Sequence, residues 1–149
     1  LEIYYNPRND FVGGFIGEPP MNFTTCELVQ EGDRYFIVSP SFRLQLDDEC
    51  KSRFIHYRGN PRIKLGVRPE DVHVSLQPFQ NSFSLETDFV EPQGDRTIIS
   101  LKLNERDIFL AQVLGNLRPD IGQPVSVTFD QRHMHFFDLE TGLNILYSD

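Results

Sequence analysis

The chain has 149 residues, 14 basic and 22 acidic side chains and a formal net charge of -8, a balance that opposes nonspecific binding to nucleic acid, which needs a basic footprint. The length suits one domain that buries about two thirds of the surface of its unfolded chain, so stability demands neither a metal nor a disulfide. Cys26 and Cys50 have no second Cys or His at metal-ligand spacing and read as free thiols of a reducing compartment, while no apolar run approaches the ~20 residues of a membrane helix.

The chain begins at Leu1 rather than Met and reads as a fragment of a longer polypeptide. Leu1 to Tyr5 and Asp10 to Ile16 are predicted as short helical pieces separated by the turn-forming Asn6-Pro7-Arg8-Asn9, with Phe11, Phe15 and Ile16 on one face. Gly17-Glu18-Pro19-Pro20 ends the second piece, because proline cannot continue a helix. Residues 1–20 therefore read as the edge of a preceding domain and a linker, and residues 21–149 as the domain proper.

From Met21 the pattern turns to β. Asn22 to Val29 and Tyr35 to Val38 are predicted strands around a Glu31-Gly32-Asp33 loop, and Phe42, Leu44 and Leu46 alternate in a third. Asp47 to Asn60 is polar and reads as an irregular surface excursion. Ile63 to Val67 makes a strand that stops at Arg68-Pro69-Glu70, where the proline forces Arg68 into an extended conformation.

Beyond that turn, Phe83, Leu85 and Phe89 are predicted to share a buried face, followed by alternating strands at Ile99 to Leu103, Phe109 to Val113 and Val125 to Phe129. His133 to Phe137 is predicted as one more short strand. Helix beyond the first twenty residues is not expected. So many short strands with turns between them predict a mainly β fold, an OB-like five-stranded small barrel behind a short helical N-terminal leader.

Each reactive cluster has a plainer reading. A nucleotide site needs a glycine-rich loop ending in Gly-Lys-Ser/Thr, and none of Lys51, Lys64 and Lys102 follows a glycine. Asp130, His133, His135 and Asp138 fall within nine residues, and His133 and His135 at i, i+2 would share a strand face, yet they read as the wet face of an edge strand. Asp47-Asp48-Glu49 reads as a solvated charge run. No nucleophile elbow is present. Catalytic, cofactor-binding and metal residues are accordingly expected to be none. Lys51, Arg53, Arg58, Arg62, Lys64 and Arg68 place six cations in eighteen residues beside Phe54 and Tyr57, the pattern on which OB barrels stack bases, but the acidic whole argues against a nucleic-acid partner.

Three stretches together resemble one family. Ile3 to Pro7 with Asn9 to Phe23 is similar to the junction between an ATPase domain and its C-terminal extension. Gly66-Val67-Arg68-Pro69-Glu70 resembles the turn of that extension, and Phe129-Asp130 with His135 to Gly142 resembles its closing segment. The family is the ATP-binding subunit of ABC importers for sugars, of the maltose and glycerol-3-phosphate type. Gln93 and Phe136 stand where that family usually has Leu, and Glu31 to Asn60 carries no resemblance.

The resemblance implies a noncatalytic C-terminal regulatory domain, of the transport-associated OB (TOBE) kind, cut from a transport ATPase. It implies a homodimer through this domain, transmembrane permease subunits reached through the absent ATPase domain, and a possible regulatory protein. ATP and Mg2+ would belong to the full-length protein, which would sit in the cytoplasm on the inner face of the membrane. Phe23, Gly66, Arg68, Pro69, Glu70, His135 and Phe137 are the implied contact or positioning residues. The alternative is a freestanding OB-type module for a small solute, oxyanion or single-stranded nucleic acid.

Overall fold

The computed structural model describes residues 7–10 and 19–145. The predicted leader helices fall almost wholly on residues outside this set. Among the described residues ten strands form two antiparallel five-stranded sheets.

The first sheet grows from the hairpin of β1 (Asn22–Glu31) and β2 (Arg34–Val38), whose two-residue loop has Gly32 at φ +61, the left-handed conformation glycine adopts without steric cost. β3 (Arg43–Gln45) extends it beyond β2. On the other side β4 (Arg62–Val67) pairs with β1, and the short β10 (His135–Phe137) returns from the far end of the chain to flank β4.

The second sheet has the order β5 (Val72–Ser75), β9 (Pro124–Phe129), β6 (Phe83–Gln93), β7 (Arg96–Lys102), β8 (Ile108–Leu114). Its two end strands, β5 and β8, lie against each other, and β8 also meets the 3-10 turn Pro69–Asp71. This sheet curls toward the predicted five-stranded OB-like barrel. The expected count of five strands is corrected by the first sheet, which adds β1 to β4 and the returning β10 to the five of the second. The sheets share one core in which Ile37, Leu44, Leu65 and Phe136 meet Ile99, Leu101, Phe109 and Val127.

Three further expectations are corrected. Asp47 to Asn60 contains a helix, α1 (Asp48–Ser52), N-capped by Asp47 Oδ1, which accepts from the Cys50 amide at 2.8 Å. The cap satisfies an orphan amide, Asp48 and Glu49 suit the positive end of the dipole, and Cys50 and Phe54 bury themselves in the core. In β6 a bulge between Thr87 and Phe89 shifts the register. One extra residue inverts the parity of the strand, so Leu85 and Thr87 point inward while Phe89 is 54% exposed. The predicted strand from His133 is a 3-10 turn (Gln131–His133) followed by β10.

Candidate functional site

The chain passes between the sheets twice, and the two crossings run side by side. β4 leads into β5 through Arg68 and the Pro69–Asp71 turn, with Arg68 extended at φ -72, ψ 149 as the following proline requires. β9 leads back to β10 through Asp130 and the Gln131–His133 turn. The Asp130 amide donates to the Asp71 carbonyl at 2.8 Å, and Val72 opposite Phe129 continues the contact as a strand pair.

Next to these crossings lies a tightly packed seam. Gly66 stands opposite Phe23 on one side and His135 on the other. A Cβ on Gly66 would lie 2.5 Å from Met21 Sδ, 2.9 Å from Phe137 Cε2 and 3.1 Å from Phe23 Cε1, so a side chain has no room there. The Phe23 and Phe137 rings meet edge to face at 5.8 Å, a favourable quadrupole arrangement. Lys64 places its ammonium 5.6 Å from the Phe23 ring centre and ion-pairs with Asp10 at 2.7 Å.

The structure thus gathers most of the expected residues but buries them. Gly66, Arg68, Pro69, His135 and Phe137 are buried, Phe23 is half-buried, and Glu70 is exposed. Arg68 is 2% exposed, an unusual place for a guanidinium, which stays charged in proteins. Burial pushes the His135 imidazole down to about 4, helped by the Arg68 and Arg53 guanidinium groups around it, so His135 is neutral at physiological pH.

His133 and His135 do not share a strand face. His135 enters the seam, whereas His133 Nδ1 lies 3.1 Å from Asp71 Oδ1 and 3.4 Å from Asp130 Oδ2. Burial raises the Asp71 carboxyl above its usual range, against a lowering pull from His133. Arg132 hydrogen-bonds Asp130 and holds it below its usual range. Asp71 and Met21 are the members of this region that sequence reasoning missed.

The six cations of the 51–68 run do not form one face. Lys51 donates to the Asp33 carbonyl, Arg53 to those of Gln131 and Met134, and Arg58 to those of Ile55 and Tyr57. Lys64 pairs with Asp10 and Arg68 is buried. Elsewhere an open cleft of about 660 Å3 is lined by Thr24, Glu27, Ser39, Arg62, Asn104 and Asp107 among others, carrying charges of both signs.

Among the described residues no helix is long and apolar enough to cross a membrane. The MalK OB fold domain family matches residues 17–72 and the TOBE domain family residues 65–137. The xylose/arabinose import ATP-binding protein XacK of Haloferax volcanii is 35% identical over 95% of this chain and 36% of its own length. The trehalose/maltose import ATP-binding protein MalK of Thermococcus litoralis is 33% identical over 95% of the chain and 38% of its own length, and the oligosaccharides import ATP-binding protein MsmX of Bacillus subtilis 30% over 97% and 40%. The chain therefore spans between 36 and 40% of these relatives. Among solved structures, the molybdate-binding protein ModG superposes with a TM-score of 0.54 over 77% of this chain and 94% of its own, at 12% identity, a likeness of fold alone. On the two family matches and these relatives, the chain belongs to the family of MalK-type OB and TOBE domains found in sugar-import ATP-binding proteins.

Proposed function

We propose that the chain is the regulatory, noncatalytic end of the ATP-binding subunit of a sugar importer, and that it holds two copies of that subunit together while their nucleotide sites open and close. The observation that carries this reading is the match of relatives named for sugar import along at least 95% of the chain. ATP and Mg2+ would be bound by a preceding domain, since no lysine here follows a glycine as a phosphate loop requires. In this reading the subunit lies in the cytoplasm against the membrane's inner face, docked to permease subunits through the domain that precedes Leu1, and a regulatory protein can act on it.

The buried seam residues act as positioning residues: Gly66 lets Phe23 and Phe137 close over β4, and Arg68 and Pro69 set the first crossing. The second copy meets the outer face of β6, β7 and β8 instead. Phe89, Ser100 and Leu110 lie in one row there, with Ile108 and Leu114 exposed nearby. Glu86, Glu91, Arg96 and Lys102 flank the row with both charge signs, which a two-fold related copy can match by setting each sign against its opposite. The reading is tested by sequencing the reading frame upstream of Leu1. A P-loop within about 250 residues, the size of one domain, is expected, and a start codon directly before Leu1 would overturn it.

A further inference from the structure

We propose that Asp71, Asp130 and His133 form a binding site for one transition-metal dication of the zinc, cobalt or nickel type, clamping the two crossings between the sheets. One donor atom from each lies within 4.8 Å of the other two. His133 Nδ1 stands 3.1 Å from Asp71 Oδ1 and 3.4 Å from Asp130 Oδ2. With bonds of about 2.0–2.2 Å to nitrogen and oxygen, tetrahedral ligands lie roughly 3.3–3.5 Å apart, so His133 already stands near the spacing a metal would set from each aspartate oxygen.

The main chain maintains that spacing without help from the side chains. The Asp130 amide donates to the Asp71 carbonyl at 2.8 Å, and the His133 amide donates to the Asp130 carbonyl at 3.0 Å. The two aspartate side chains are 15 and 16% exposed and that of His133 40%, which leaves a wet side for a fourth ligand from water. An imidazole nitrogen beside two carboxylates selects the borderline metals over magnesium and calcium, which take oxygen alone. The dication would neutralise the two carboxylates, one of them partly desolvated.

Arg132 is the internal competitor. Its Nη2 lies 3.0 Å from Asp130 Oδ2 and its Nε 3.2 Å from Oδ1. At 67% exposure the guanidinium gives up little on turning into water, while the Arg132 main-chain amide continues to hold Oδ1 at 3.1 Å. The site is thus primed, and partly guarded, by its own neighbour. This inference is independent of the importer reading, because it rests on the crossings alone.

The test is titration of the 149-residue chain with Co2+, followed by its visible absorption and by calorimetry, then displacement with Zn2+. One equivalent with a tetrahedral spectrum is expected, with affinity at least tenfold weaker in Asp71→Asn and His133→Gln and about two- to fivefold stronger in Arg132→Ala, where a surface ion pair is removed. As a check that needs no variant to fold, the His133 imidazole nitrogen resonances of the unaltered chain should shift with Zn2+ while those of His56 and His73 do not. Absence of saturable binding in both the wild type and Arg132→Ala, or binding that leaves the His133 resonances unmoved, overturns the proposal.

Discussion

The outward sides of the two sheets are treated in opposite ways. Over β4, the chain covers itself: Met21, Phe23 and Phe137 close on Gly66 so tightly that a methyl group would collide. Over β6, β7 and β8 it leaves Phe89 54%, Ile108 44% and Leu114 82% exposed. β4 is flanked by strands on both sides, whereas β8 is an edge. Apolar groups left exposed on a sheet face invite a partner, so the assembly face proposed above lies on β6, β7 and β8 and not on the closed seam around Gly66.

The largest expected effect tests the closed side. Phe137 is fully buried, and Phe137→Ala should cost about 3–5 kcal/mol in urea unfolding. A loss under about 1 kcal/mol would mean the seam collapses onto itself and the contrast between the faces is false.

Acid should loosen the same region through His135. Its folded value of about 4 lies below the ordinary 6.5, so between those values the unfolded chain binds more protons than the native one. Stability is fully present above about pH 6.5 and falls as pH drops toward 4, by about 3 kcal/mol in all. Asp71, whose carboxyl is raised, works in the opposite sense, because its native form takes up a proton more readily. Unfolding midpoints at several pH values should show a slope that His135→Gln flattens; an unchanged slope would remove His135 from the account.

Gly66→Ala should cost about 1–3 kcal/mol, the range for overpacking, with Met21 the neighbour best able to give way. On the open side, Phe89→Ser should change stability by no more than about 0.5 kcal/mol while weakening self-association. If it destabilised the monomer as Phe137→Ala does, Phe89 would belong to the interior.

The sequence showed most clearly the strands whose apolar residues alternate without interruption, as in Val125 to Phe129, although Ser126 is buried there too. It could not show the bulge at Asp88, since one inserted residue changes parity without altering composition. The charge run Asp47-Asp48-Glu49 concealed a helix because Asp47 acts as a cap, which is visible only once Cys50 and Phe54 have a core to enter. Gly66 and Pro69 were located by resemblance, but their burial depends on partners far along the chain, since Phe137 of β10 closes on Gly66 and β8 packs on the Pro69–Asp71 turn. Asp71 was missed because its partner His133 is 62 residues away, and only the pairing of β5 with β9 brings them together.

The most direct test of the account is the light-scattering mass of the nucleotide-free full-length subunit, wild type against Phe89→Asp combined with Leu114→Asp. The account predicts a dimer for the wild type and a folded monomer for the variant. A variant that stays dimeric, or a wild type that is monomeric, would contradict it.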